Sequence, residues 1–348
     1  MPPRIAALWN RRRTPGKARS QPRLRRPWPW GLLLSRGLLA AVGVVAGATV
    51  LGVVWPEPER RGVGRNPETV SELANVPNRA VTVLVIGLDS DQLNAPSNKA
   101  APAGPANADA LLLVRINPDG PVQVLPLPTS LAVQLPGEDK PQSLGSLYAS
   151  GGAALTADAV RDLAGLPAGR PDRYVVLSRG GLRALVEGLG SVEVNPRQTM
   201  RYSDRTQDLE IDLQAGVQRL SPLQMEHLAR WRDAGKPLES RLMSHQQVVE
   251  SLHRELRLQG MAADLPALVR KLRGQVNTNL SQGEILSLLA AGLRPDSSVS
   301  VTTLPLAAPR QSEAAKATGL RERAAELPEP FWPEAKAPAR AQASDPAP

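Results

Sequence analysis

The sequence predicts one α/β domain of about 225 residues carried behind a single transmembrane helix. Three observations predict it. Between residues 80 and 306 short β-rich runs alternate with helical patterns. An Asn117-Pro118-Asp119-Gly120 turn joins two of the β-runs. An unbroken uncharged apolar stretch, Gly37 to Trp55, precedes them all.

At about 1.5 Å per helical residue those nineteen positions cover roughly 28 Å, close to the hydrocarbon thickness of a bilayer. Ten cations and no acids occupy residues 1–36, among them Arg11, Arg12, Arg13, Arg25 and Arg26, so this basic tail is expected in the cytoplasm. Trp28, Trp30 and Trp55 stand where interfacial aromatics belong. A cleaved signal peptide is the competing reading, since Ala46-Gly47-Ala48 offers a small-residue cleavage pattern, but the apolar run continues past it to Trp55. Everything beyond 55 is then expected outside the cytoplasmic membrane.

The charge distribution also excludes a function. The chain carries a formal +9, yet removing the ten N-terminal cations from its 42 leaves 32 against 33 acidic residues. A near-neutral body has no general pull on a phosphate polymer, so no nucleic-acid partner is expected. With no cysteine, no disulfide staples the domain.

Residues 56–79 read as a polar, Pro-containing linker and 307–348 as a disordered Ala/Pro-rich tail, leaving 80–306 for the domain. Within it, Val81–Ile86, Ala110–Ile116, Val122–Leu125, Tyr174–Leu177, Val192–Val194 and Leu209–Leu213 read as strands. Leu155–Ala164, Gly181–Leu189, Pro222–Leu228, Arg241–Leu258, Leu265–Leu272 and Gln282–Leu293 read as helices.

The hairpin has a geometric consequence. If the first strand runs antiparallel to the second, Gly87-Leu88-Asp89, Asn107-Ala108-Asp109 and Pro128-Thr129-Ser130 meet at one edge of the sheet. Asp89 and Asp109 then share a rim, and paired carboxylates there can hold a hard cation such as magnesium, completed by phosphate oxygens. Further on, Arg230 and Arg232 would project to the same side of an extended segment ending the short helix before Asp233-Ala-Gly-Lys-Pro237. With Arg241 they could present several guanidinium forks to one anion. The three histidines, His227, His245 and His253, show no metal-binding spacing, and no Gly-x-Ser-x-Gly elbow occurs.

From about Val81 to Leu256 the chain resembles the LytR-CpsA-Psr proteins, sometimes called cell-envelope-related transcriptional attenuators. The resemblance lies in Gly87-Leu88-Asp89, in Leu111 to Pro118, and in Arg173-Tyr174-Val175-Val176 with the run from Gly181 to Val194. It continues through Met200, Tyr202, Asp204, Gly216, Gln218 and Leu220 to Arg230-Trp231-Arg232, Arg241 and Gln246-Gln247. It implies a central sheet flanked by helices, with a hydrophobic tunnel for a lipid. It also implies a membrane-anchored phosphotransferase that moves a glycopolymer from a polyprenyl pyrophosphate carrier to peptidoglycan or another envelope acceptor, with magnesium on the pyrophosphate. Carried over by resemblance, Asp89 and Asp109 hold the metal and Asp109 is the base for the acceptor hydroxyl. Arg230, Arg232 and Arg241 grip the pyrophosphate, with Gln246, Thr129 and Ser130 beside it. Phosphoryl transfer is mostly positioning and charge neutralisation, which suits these residue types.

The chain departs from the family pattern at this same site. Asn107-Ala108-Asp109 stands for Arg-Ser-Asp, Pro128-Thr129-Ser130 for Pro-Arg-Asp, and Gln142-Ser143-Leu144 for Lys-Ile-Asn, while Asp91 and Ser244 replace arginines. Each lost charged hydrogen bond to phosphate costs on the order of 1.5–3 kcal/mol. A non-catalytic relative that binds a lipid-linked glycan or an assembly partner is therefore the alternative. The sequence leaves open whether Arg179, Arg183 or Arg201 takes the place of a missing guanidinium.

Overall fold

The computed structural model describes residues 69–95, 104–258, 261–308 and 319–327. The apolar run 37–55 and the basic tail lie outside the described residues. Among the described ones, no helix is long and apolar enough to cross a membrane.

In chain order the domain runs β1 (Val81–Leu88), β2 (Ala108–Ile116), β3 (Val122–Leu127), a small ribbon of β4 (Ala132–Val133) and β5 (Gln142–Ser143), and helix α1 (Leu147–Leu163). There follow β6 (Arg173–Leu177), α2 (Arg179–Gly188), β7 (Val192–Val194), the hairpin of β8 (Met200–Asp204) and β9 (Leu209–Leu213), and β10 (Gln218–Leu220). Then come α3 (Pro222–Arg230), α4 (Pro237–Leu256), α5 (Met261–Lys271), β11 (Val276–Thr278), α6 (Gln282–Gly292) and β12 (Val299–Val301). Six strands form one mixed sheet in the order β11-β6-β1-β2-β3-β12, and helices pack on both of its faces.

The centre of that sheet follows from alternation. β1–β2 and β2–β3 are antiparallel, and the β2–β3 connection turns through Asn117, whose amide donates to the Pro121 carbonyl at 2.8 Å. β6 joins β1 in parallel after the crossover through α1. Leu84, Ile86, Leu111, Leu113, Leu125, Leu127 and Val176 point to one face and form a closed core with Leu144, Leu147, Ala159 and Val160. α1 is broken at Gly151 and Gly152, the latter at φ +63°, so the regular helix resumes close to where its apolar periodicity begins.

The other face does not close. Val85, Ala110, Val114, Val175 and Leu177 sit mid-sheet beneath helices α2, α4, α5 and α6, yet are only half-buried. They border a cavity of about 890 Å³ whose far wall is aliphatic, including Leu182, Val249, Leu252 and Leu289. Interiors normally pack with few voids larger than a water molecule, so this cavity is a built feature of the fold.

The domain also recruits its flanks. Val70 and Leu73 pack against Leu265 and Leu268. Within the stretch read as a tail, Arg321 bridges to Leu131 and Arg323 to Leu306, and Leu327 packs on the main core.

Candidate functional site

The site lies where β1 ends and β2 begins, at one end of the cavity. The β1–β2 register shifts between Gly87 and Leu88, and the bulge lets Asp89 fold back on Asn107: Asp89 N–H donates to the Asn107 carbonyl (3.1 Å), and Asn107 N–H donates to Asp89 Oδ1 (2.9 Å). Gly145 closes the rim from below. A Cβ there would lie 2.7 Å from the Ala108 carbonyl and 3.0 Å from Thr129 Cβ, so only glycine allows this approach.

Asp109 is the hub of the β2 side. The Arg232 guanidinium reaches its Oδ1 at 3.1 Å, and Arg241 ion-pairs with the same oxygen while also donating to the Asp109 carbonyl. Burial alone would raise the Asp109 carboxyl, but Arg241 and Arg232 outweigh it and hold it below the usual carboxylate range. Asp89 goes the other way. Burial, opposed by the Asn107 hydrogen bond and reinforced by the negative charge of Asp109, pushes it above that range.

Two arginines read from sequence as one extended pair arrive differently. α3 starts with a capping box between Ser221 and Gln224 and Pro222 at its first position, and it continues through Arg230. Trp231 is extended and buried in the α3/β9 core, which anchors the exit and sends Arg232 toward Asp109. Arg230 instead pairs with Glu226 at 3.3 Å and donates to Gln207 Oε1 at 2.7 Å, lining the cavity mouth.

The remaining polar candidates do not line the cavity. Gln246 is turned along α4 and donates to Glu250 Oε1 at 2.7 Å. The Thr129 carbonyl accepts from Gly145 N–H at 2.8 Å and the Ser130 carbonyl from Arg321 N–H at 2.9 Å, so this end of the rim is covered by chain. Arg201 pairs with Asp212 on the exposed β8–β9 hairpin.

Three groups that the motifs did not assign line the mouth, His245, Glu226 and Arg179, and Arg183 stands behind them on Glu226. His245, one position from Gln246, is buried against Asp109 and Arg241. Burial, then the Arg241 charge, lowers it to about 4, so the imidazole is neutral at pH 7. Glu226 is buried at 3 % exposure and gathers Arg179 (3.2 Å), Arg183 and Arg230. Their spacing carried a signal: Arg179 and Arg183 are four apart on α2, and Glu226 and Arg230 are four apart on α3, so each pair shares a helix face.

Asp89 and Asp109 are the carboxylates of this rim that could hold a magnesium ion of the kind bound by one or two carboxylates and completed by phosphate. The Asp109 charge helps to raise the Asp89 carboxyl, an effect that a bound divalent cation would relieve. Among the described residues no cluster of three or more acidic, His or Cys side chains that could hold a metal ion occurs.

Comparison with known proteins agrees with this architecture. Regulatory protein MsrR of Staphylococcus aureus (strain COL) is 24 % identical over 230 residues, covering 65 % of this chain and 64 % of that relative's length. The polyisoprenyl-teichoic acid–peptidoglycan teichoic acid transferase TagU of Enterococcus faecalis is 29 % identical over 119 residues, 34 % of this chain and 36 % of that protein. The crystal structure of B. subtilis TagV superposes with a TM-score of 0.56 at 17 % identity, covering 71 % of this chain and 92 % of that one, a likeness of fold. The LytR_cpsA_psr family model matches residues 61–326, which takes in the whole sheet, the cavity and the arginine-lined mouth, and the chain belongs to that family.

Proposed function

We propose that this protein transfers a glycan phosphate from a polyprenyl pyrophosphate carrier to a hydroxyl of peptidoglycan or another envelope acceptor. One observation carries the reading: an apolar cavity of about 890 Å³ ends at a mouth holding Asp109, Arg230 and Arg179, with Arg232 and Arg241 on Asp109. A ligand matching it has a long apolar chain joined to a compact anion. TagU, by its name, acts on a polyisoprenyl-linked polymer, which supports the same chemistry here.

In the proposed step the acceptor hydroxyl oxygen attacks the phosphorus on the glycan side. A new P–O bond forms, the P–O bond to the bridging oxygen of the pyrophosphate breaks, and prenyl monophosphate leaves. Asp109 takes the hydroxyl proton. Arg230, Arg232 and Arg241 orient the phosphates and neutralise charge that grows on the leaving group. Asp89 with Asp109 would hold magnesium, which supplies further charge neutralisation when bound. The run 37–55 would span the cytoplasmic membrane with the domain outside, tethering the domain to the membrane that holds the carrier.

A second reading is favoured by one observation. Asp109 carries two guanidiniums and is held below the usual carboxylate range, which makes it a weak proton acceptor until phosphate draws those arginines away. A chain that binds lipid-linked glycan without transferring it has the same geometry. The test is to incubate the full chain with labelled polyprenyl-pyrophosphate glycan and peptidoglycan. Label appearing in the insoluble acceptor, and lost in Asp109→Asn and Arg232→Ala, supports transfer; tight carrier binding with no labelled acceptor supports the second reading.

A further inference from the structure

We infer that Arg179 is a second anion-binding residue of the cavity mouth, gripping the pyrophosphate of the lipid carrier across the end of β1 from Arg232 and Arg241. The inference rests on the proposed carrier chemistry and extends it to residues that reading does not use.

Position comes first. β6 lies on one side of β1 and β2 on the other, so α2, which begins two residues after β6, starts across β1 from Asp109. Two strand spacings separate the two sides, about 10 Å. Between them lies Gly87, which leaves the floor of the mouth without a side chain. Arg179 is the first residue of α2 and lines the cavity together with Asp109 and Arg230. Its place is fixed from outside the helix: its own N–H donates to the Ser90 carbonyl (3.0 Å) and Gly180 N–H donates to the Asp91 carbonyl (3.1 Å). The loop that follows Asp89 is thereby tied to the start of α2.

Donor capacity comes second. Arg183 is held between two carboxylates, Glu226 and Asp91, the latter at 2.5 Å. Arg230 divides its fork between Glu226 and Gln207. Arg179 shares Glu226 Oε1 with Arg230 at 3.2 Å, and its Nε is buried without a hydrogen-bond partner among the described residues. A guanidinium with five donors in a planar fork is under-used here. Three cations meet two carboxylates in this cluster, leaving one positive charge in excess at the mouth. Glu226 therefore serves as a buried seat that holds Arg179 in place without neutralising the group. A diphosphate lying over Gly87 would find guanidiniums on both flanks, which a single phosphate on the Asp109 side would not need.

The experiment titrates the full chain by calorimetry with farnesyl pyrophosphate and, separately, with farnesol. It compares the wild type with Arg179→Ala, Arg179→Lys and Arg232→Ala, and each variant's thermal midpoint is measured beside the titration. Arg179→Ala is expected to weaken farnesyl pyrophosphate by about 10- to 100-fold and leave farnesol unchanged, with Arg179→Lys intermediate. A merely structural Arg179 would lower the thermal midpoint and weaken both ligands alike, or neither, while Arg232→Ala still weakened the pyrophosphate; that result overturns the inference and leaves the carrier reading standing. Wild-type protein that takes farnesol but not farnesyl pyrophosphate overturns both.

Discussion

Glu226→Gln removes one negative charge from beneath three guanidiniums and changes almost nothing in shape. The carboxylate is 3 % exposed, and its partners Arg230, Arg179 and Arg183 are 14, 18 and 29 % exposed. Breaking a buried ion pair by removing one partner typically costs 3–5 kcal/mol, because the survivor is left uncompensated. Here the arginines retain some access to water and Arg183 keeps Asp91, so about 2–4 kcal/mol is expected. For a domain of this size each kcal/mol moves the melting temperature by about 2–4 °C, so the variant should melt roughly 5–15 °C below the wild type. Differential scanning calorimetry of the full chain reads this directly. A midpoint within about 1 °C of the wild type would refute the assignment of Glu226 as the hub of α2 and α3.

Three further outcomes follow from the site. His245 stays neutral to about pH 4 in the folded state while the unfolded chain protonates near 6.5, so its contribution to stability is present above 6.5 and lost as pH falls toward 4. Urea unfolding should show the wild type losing on the order of 3 kcal/mol more than His245→Gln across that window. Asp89 has the opposite sign: its raised carboxyl is ionised at a cost to the folded state, so Asp89→Asn should be more stable than wild type at pH 7 without divalent cation, and the difference should vanish below about pH 3.8. Thermal melts at pH 7 and pH 3.5 check it, and a variant less stable at pH 7 would contradict it. Val85→Phe fills the cavity beneath β1, so calorimetry should show loss of farnesyl pyrophosphate binding with inorganic pyrophosphate still bound.

The centre of the fold was legible because its signals are local. Alternating aliphatic residues in β1, β2 and β3 and the Asn117–Gly120 turn specify the β2–β3 hairpin, and antiparallel pairing of β1 with β2 then places Asp89 and Asp109 on one rim. The strands β11 and β12 were not legible. Each has three residues, and each exists only through pairing with β6 or β3 far away in sequence.

Within the site the same boundary holds. Arg232 and Arg241 were brought to the site of Asp109 by the family resemblance alone, since more than a hundred residues separate them from it in sequence. Gln246 and His245 could not be told apart, since successive helical residues are about 100° apart and only packing shows which one faces inward. Glu226 reads as a solvated charge in a short helix, and its role is visible only once α2 brings Arg179 and Arg183 to it. The cavity was expected from the family resemblance and not from the residues themselves: Val85, Val114 and Val175 obey the same alternation as a filled core, and a void has no residues of its own.

The most direct test of the whole account is a crystal structure of the protein with a prenyl pyrophosphate bound. The account predicts the prenyl chain between the β-sheet and helices α4 and α6, against Val85 and Val114, with the two phosphates over Gly87 between Arg179 and Arg232. A pyrophosphate bound elsewhere on the surface, or a prenyl chain outside the cavity, would contradict it.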